Sequence, residues 1–594
     1  MNNTQPTAME LQDIKSPQDI KGLDISSLEH IASQMREAVL NRTSQIGGHV
    51  GPNLGTCEAI IALHYVFDAP KDRLVYDVSH QAFPHKMLTG RVDGYLYRQD
   101  FAKVGEYTDP KESPEYDIFY AGHTSPALSL SVGLAKARDL RGEKYNVVAF
   151  VGDGALSGGE AFEGLDAGGA LGSNLICIFN DNQMAIAEDH GGMYEHFRHL
   201  RETNGTASDN LFKAFGWDYI YVAEGNNVEK LIEAYKKVKD TDRPTVIHIN
   251  TQKGEGYTPA EEYREAFHFR DSFDIATGEL LKVSDGPSYT GVLKDFVNRS
   301  VSKYPDSFLV ISSATPDDFG LNPKEREALG KHYLDVGIAE QTGVAVMAGA
   351  ARNGAKVVYA VVATFLQRAY DQLIEDWAMD NSPALMVVTN SGVRGITDQT
   401  HLGFWDIPMI TSIPDIIYLA PSNLEEYKAM LDWALAQDKY KVAVRQPVYS
   451  VEHADYEVDT DYSDLNRFKV VKEGKDVAVI AAGDFFAKGR KVVELLETGG
   501  MTPTLINPRF VSGIDKELLS SLATNHKVIV TVEDGSLEGG FGQRVASFLG
   551  DKDVKVLNFG LEKKFVDRYN PDELEKEYGL QPEQIVEKIM ANAV

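Results

Sequence analysis

The stretch VVAFVGDGALSGGEAFEGLDAGGALGSNLICIFNDNQM, residues 147–184, decides the fold of this chain. It opens on an apolar, β-branched run and turns at Gly152-Asp153-Gly154. About sixteen helix-compatible residues follow, and a second apolar run ends at Asn180-Asp181-Asn182. The pattern predicts strand, turn, helix and strand, with polar groups at the carboxyl ends of both strands. In open parallel sheets that edge is where ligands bind. Asp153 and Asn182 lie 29 residues apart in sequence, yet neighbouring strand ends set a carboxylate beside an amide oxygen. Hard oxygen donors of this kind suit magnesium.

Working outward, 594 residues exceed a single core, and domain sizes predict about three to four domains. A composition of 43% hydrophobic and 25% charged residues is that of an ordinary soluble globular protein. The 59 basic and 88 acidic residues give a formal charge of −29, which repels nucleic acid and anionic membranes. No apolar run approaches the roughly 20 residues that span a bilayer, so no membrane role is expected. Cys57 and Cys177 form no CxxC, and the amino-terminal MNNTQPTAMELQ is polar without secretory character. A reducing, cytoplasmic location is the expectation.

In chain order, residues 1–45 read as helical, with apolar positions at three and four spacing. The glycine-dense segment from Gly47 to Gly55 surrounds His49, as a loop does where backbone approaches a ligand closely. A second His-bearing segment, Asp77 to Lys86, follows strand-like RLVYD, and a third, Gly122-His123-Thr124-Ser125, follows DIFYA. Residues 185–235 are polar and weakly periodic and read as a loosely packed excursion. A strand from Pro244 to Thr251 leads into Lys253-Gly254-Glu255-Gly256-Tyr257, and Phe267-His268 lies beyond it. A linker is expected at about 283–290. A second alternation of strands and helices follows, with a helix opening at Glu340, one continuous helix across FLQRAYDQLIEDWAMD, and a polar loop at 395–401. After an acidic, turn-rich linker at 452–472, a third alternation carries few convergent catalytic groups, so interface and stability roles are expected there.

GGH, DVSHQAFPHK, LTGR, GHTS, GDG with NDN, TQKGEGYTPAE, FH with FD and TG, DVGIAEQ, TFLQRAYDQ, DQTHLGFWD and LAPSN occur in this order. Together they resemble the 1-deoxy-D-xylulose-5-phosphate synthases of the transketolase-like superfamily, over nearly the whole chain. The fold so implied is α/β, three doubly wound domains with mostly parallel sheets. They would be a diphosphate- and magnesium-binding (PP) domain at 1–285, a pyrimidine-binding (Pyr) domain at 288–455 and a transketolase-type C-terminal domain at 470–594. The implied cofactors are thiamine diphosphate and Mg2+, and the implied assembly is a homodimer.

Residue by residue, the resemblance implies Asp153, the Asn182 side chain and the Met184 carbonyl as metal ligands. His80, Gly122, His123, Thr124, Ser125, Gly154 and Ala155 would lie at the diphosphate, where a helix starting after Gly154 adds its positive end. Phe365 would stack on the pyrimidine and Glu340 would protonate that ring. His49 and His401, and after them His268, would serve substrate proton transfer, with Lys253 and Arg368 also in the active site.

The chain also departs from the family pattern. Val362 stands where a tyrosine is usual, Thr389-Asn390-Ser391-Gly392 where Asp-Arg-Ala-Gly is usual, and Val448 where a second arginine is usual. In the family those two arginines grip the phosphate of the aldehyde acceptor, a bidentate task that Asn390 and Val448 do not copy. Arg394 and Asp398 bring new charge nearby. Between Asn182 and Lys253 the chain is shorter than its relatives and reads Val222-Ala223-Glu224-Gly225-Asn226-Asn227 where Gly-Pro-x-Asp-Gly-His is usual. The expected function is carbon–carbon bond formation from a keto-acid or ketose donor, with pyruvate favoured by the motifs, to an aldehyde acceptor whose identity, glyceraldehyde 3-phosphate or another, the lost arginines leave open. A ketol transferase acting on another sugar, and a catalytically silent cofactor-binding relative, are the alternatives.

Overall fold

The computed structural model describes residues 9–283 and 286–593. Residues 1–8 of the expected helical start, residues 284–285 of the expected linker and the last residue lie outside the described residues. The chain divides into two compact units, residues 1–285 with 337–339, and residues 286–336 with 340–594.

The first unit contains β1 (Gly48–His49), β2 (Arg73–Tyr76), β3 (Val147–Gly152), β4 (Leu175–Asp181), β5 (Asp218–Val222), β6 (Pro244–Asn250) and β7 (Phe269–Arg270). Its five-stranded sheet runs β2-β3-β4-β6-β5, with every pair parallel. β1 and β7 form a separate antiparallel ribbon. β3 and β4 are buried almost throughout, because a parallel strand covered on both faces must be apolar on both. Their register pairs Gly152 with Asn180, so the GDG and NDN segments leave the sheet side by side.

Several local readings change. The first long helix is Ile25–Ile46, started by the Asp24 side chain accepting from the amide of Ser27 at 2.9 Å, and among the described residues two short 3-10 turns precede it. The helix after GDG begins at Gly159, behind a 3-10 turn at Gly154–Ser157, because Gly158 is extended. The segment DIFYA is not a strand; the carboxylate of Asp117 instead faces the buried His85 and Arg91 side chains.

The supposed excursion is integral to the first unit. It contains the helices Gly192–Glu202 and Val228–Val238 and the strand β5. Its apolar groups are aromatic and dispersed over short elements, so no single period reveals them. Phe197 and Phe212 pack on Phe179 of β4 with ring centroids 4.9 and 5.2 Å away. Trp217 is buried and donates its indole N–H to the carbonyl of Leu165 at 2.8 Å.

The second unit contains two sheets. β8 (Phe308–Ser312), β9 (Tyr333–Asp335), β10 (Lys356–Val362), β11 (Leu385–Thr389), β12 (Ile416–Leu419) and β13 (Lys441–Arg445) run in the order β12-β13-β11-β10-β8-β9, all parallel. β14 (Lys469–Lys472), β15 (Val477–Ala481), β16 (Thr504–Asn507), β17 (Val528–Ser536) and β18 (Lys555–Leu561) run β14-β16-β15-β17-β18, with β14 antiparallel on β16. The α/β class with mostly parallel sheets is therefore as expected. The single helix expected across FLQRAYDQLIEDWAMD is broken instead, into Ala363–Leu366, a 3-10 turn at Gln367–Ala369 and a π-helical stretch at Leu373–Met379. Such irregular turns re-aim side chains near functional sites.

Replacing Trp217 by Ala removes an anchor of the segment read as an excursion. The expected loss is about 3–5 kcal/mol, read as a lower midpoint in denaturant unfolding. A loss below about 1 kcal/mol would mean that the segment is loosely packed after all.

Candidate active site

Asp153 stands at the end of β3, buried and 2% exposed. One oxygen accepts from its neighbour Gly154 at 3.0 Å, and the other accepts the amides of Asn182 and Gln183 at 2.9 and 2.6 Å. The Asn182 side-chain oxygen accepts from the amide of Met184 at 3.1 Å. The three expected ligands thus share one loop cluster. Burial, with Asp189 and Asp181 nearby, raises the Asp153 pKa well above the usual carboxylate range. Burial, with Asp181 nearby, pushes Asp189 up to about 7. Carboxylates driven towards neutrality beside amide and carbonyl oxygens are a donor set that a divalent cation would stabilise. Among the described residues no group of three His, Cys, Asp or Glu side chains forms a metal cluster; the expected set needs only one such side chain.

The loop at residues 122–125 is held by Asp77, whose carboxylate accepts the amides of Ser125 and Ala127 at 2.8 and 3.1 Å. Ser125 has a positive φ of 86° and donates its hydroxyl to the carbonyl of Ala155 at 3.1 Å. A Cβ on Gly158 would lie 2.1 Å from that hydroxyl oxygen, so only glycine lets the two loops meet. Expected residues Gly122, His123, Thr124, Ser125, Gly154 and Ala155 therefore belong to two interlocked turns.

Three imidazoles cluster in the same unit. The His49, His80 and His268 rings lie 5.2, 5.4 and 5.1 Å apart as pairs. Nδ1 of His80 and Nδ1 of His268 are buried without a partner. Unpaired buried polar atoms of this kind are expected where a polar ligand completes the site. Burial, with neighbouring cationic groups, lowers the pKa of both well below the ordinary value. Lys253 is 1% exposed and donates to the carbonyls of Ala185 and Ile186 at 2.7 and 3.3 Å, which ties it to the loop after NDN. Burial pushes its ammonium down to about 7.

In the second unit Glu340 opens the helix Glu340–Arg352 and is 1% exposed. Arg368 donates to it at 3.0 Å. Burial raises the Glu340 pKa although Arg368 opposes the shift. Phe365 meets His401 edge-on, with ring centroids 5.5 Å apart. Thr400 donates its hydroxyl to Asp398 at 2.6 Å and lies 2.8 Å from His401 Nδ1. The single hydroxyl hydrogen is spent on Asp398, so Nδ1 of His401 is the donor and Nε2 carries the lone pair.

The departures from the family pattern also fall in this unit. Asn390 has a positive φ of 50°, a conformation that asparagine tolerates. Arg445 is buried between Asp406 and Asp534, at 2.7 and 2.5 Å. Arg394 pairs with Asp572 and, at 3.5 Å, with Glu575, and lies 4.6 Å over the Tyr449 ring. Burial, with Asp534 beside it, pushes Asp484 up to about 7.

The sequence reading missed Asp77, Glu106, Asp189 and the relay role of Thr400. Asp77 stands at a strand end, a signal of the same kind as Asp153. Glu106 lies in an aperiodic loop, and only its approach to His49 in space marks it.

Residues 11–208 and 202–251 match the family model for 1-deoxy-D-xylulose-5-phosphate synthase, residues 291–452 that for the transketolase pyrimidine binding domain, and residues 466–585 that for the transketolase C-terminal domain. The chain is 34% identical over 619 residues to 1-deoxy-D-xylulose-5-phosphate synthase 1 of Geobacter metallireducens, with 98% of each chain covered. It is 35% identical over 621 residues to the 1-deoxy-D-xylulose-5-phosphate synthase of Caldanaerobacter subterraneus subsp. tengcongensis, again with 98% of each covered. With likeness of this degree running almost end to end in both chains, the protein belongs to the 1-deoxy-D-xylulose-5-phosphate synthase family.

Proposed function

We propose that this protein is a thiamine diphosphate- and magnesium-dependent transferase that decarboxylates pyruvate and passes the two-carbon acyl unit to an aldehyde. The observation that carries the reading is Glu340, a dry carboxyl group at a helix start whose pKa is raised by burial. When bound, thiamine diphosphate supplies carbanion chemistry that no side chain offers. Asp153, the Asn182 side chain and the Met184 carbonyl would hold magnesium. His80, residues 122–125 and the Gly154 and Ala155 amides would serve the diphosphate. Phe365 would pack on the pyrimidine, where Glu340 holds a proton at its carboxyl and Arg368 orients it. His49, His401, His268 and Lys253 would exchange protons with substrate. The proposal includes the division into domains at 1–285, 288–455 and 470–594, a homodimer, and a cytoplasmic location. No described helix is long and apolar enough to cross a membrane.

The acceptor is proposed to lack a phosphate. The arginine positions of the family are Asn390 and Val448 here, and the two guanidiniums nearby are already engaged, Arg445 by Asp406 and Asp534 and Arg394 by Asp572 and Glu575. A phosphate dianion brought to this region meets carboxylates.

Glu340→Ala should lower turnover by about 10²–10⁴-fold while magnesium-dependent cofactor binding, followed by calorimetry, persists. Unchanged turnover would remove Glu340 from the chemistry. The raised folded pKa of Glu340 means that its stabilising proton is fully retained below the unfolded value and is lost as pH rises through the folded one. Glu340→Gln, which has no such proton to lose, should therefore gain thermal midpoint relative to the parent as pH rises; a constant gap would contradict the burial argument.

With pyruvate as donor, kcat/KM should favour unphosphorylated aldehydes over glyceraldehyde 3-phosphate by about tenfold or more. A strong preference for the phosphorylated aldehyde would refute the acceptor reading. Bound cofactor without release of carbon dioxide would point to a ketose donor if a ketose turns over, and to a silent relative if nothing does.

A further inference from the structure

We propose that Glu106 is the positioning residue of His49, fixing its tautomer and selecting it among three clustered imidazoles as the proton-accepting one. The inference rests on the reading of His49 as a proton-transfer group. One oxygen of Glu106 lies 2.9 Å from Nδ1 of His49 and accepts the His49 backbone amide at 3.3 Å. An acceptor-only carboxylate requires the hydrogen on Nδ1, which leaves the lone pair on Nε2. Arg42 lies 3.9 Å from the other oxygen and is itself fixed by donating to the carbonyl of Val104 at 2.6 Å. Burial alone would raise the Glu106 pKa, but the hydrogen bond from His49, with Arg42 nearby, holds it below the ordinary value. These partners favour the ionised form of Glu106.

The backbone is shaped around this contact. Gly48 has φ +139°, and a Cβ there would stand 2.9 and 3.3 Å from the two Glu106 oxygens and 3.3 Å from a Thr43 methyl. Its place in the β1–β7 ribbon puts His49 opposite Phe269, whose ring is 5.2 Å away. Among the described residues, His49 is the one of the three imidazoles that meets a carboxylate. His80 and His268 have each other, His49 and the Lys253 ammonium as charged or titratable neighbours, which disfavour their cationic forms. A carboxylate on Nδ1 stabilises the imidazolium formed when Nε2 takes a proton, and neighbours of opposite effect push like groups to different tasks. The groups facing His49 are thus Glu106, Arg42, His80, His268 and Tyr107.

The test compares the cofactor-loaded parent with Glu106→Gln, Glu106→Asp and His49→Asn. Imidazole titrations are followed by 15N resonances in histidine-labelled protein, with His49→Asn supplying the assignment. Glu106→Gln should move the His49 titration to lower pH by about one unit, shift the acid limb of kcat/KM the same way, and lower kcat about 10–100-fold with little change in KM. Glu106→Asp should restore part of each. An unmoved His49 titration, or a loss confined to KM or thermal midpoint, overturns the inference. If His49→Asn turns over like the parent while the titration still responds to Glu106→Gln, the assignment of His49 in the proposed function fails and the selection of His49 for catalysis falls with it.

Discussion

The carboxylate of Asp153 holds together the part of the molecule on which the rest of the first unit depends. Parallel pairing of β3 with β4 brings the ends of two strands to one edge, and the backbone amides of Asn182 and Gln183 then converge on a single buried oxygen. A carboxylate taken out of water needs donors or a cation. Here the amides provide part of the compensation; Asp181 is answered by Arg201 and His248, whereas burial drives Asp153 and Asp189 towards their neutral forms. The interlocked turns at Ser125 and Gly158 and the lysine clasp from Lys253 to the loop after NDN enclose the same edge.

The second unit solves a different electrostatic problem. Arginines of this unit are neutralised within it, the buried Arg445 by two aspartates and the partly exposed Arg394 by Asp572 and Glu575, so the guanidiniums serve the fold. Truncating one partner of such a buried pair is costly because the other charge is left alone. Recognition of a further anion at these positions would compete with ion pairs already made. Glu340 differs in having one arginine at 3.0 Å and a dry environment that still favours its proton.

The two ordered histidines share one device. His49 presents Nδ1 to Glu106, and His401 presents Nδ1 to Thr400, whose own hydrogen goes to Asp398. In each case an acceptor at Nδ1 sets the tautomer, and the second nitrogen is left basic. Thr400 stands inside the DQTHLGFWD motif, next to the histidine it orients, whereas Glu106 belongs to no periodic pattern or short motif and meets His49 only across 57 residues of chain.

The sequence by itself determined the alternation of apolar runs and helical segments, hence parallel sheets, and the pairing of GDG with NDN. Local hydrophobic period and turn chemistry are properties of contiguous residues, so they survive without a fold. It misread residues 185–235, where Phe197, Phe212 and Trp217 are scattered over short elements, and the helix after Gly154, where an extended Gly158 delays the start. Only the tertiary structure decided that Asp77 anchors the 122–125 loop, that Arg394 and Arg445 are already paired, and that Glu106 reaches His49 past a glycine with no Cβ. Those outcomes depend on which side chains meet after burial, where desolvation and charge pairing act over a few ångströms between residues far apart in the chain.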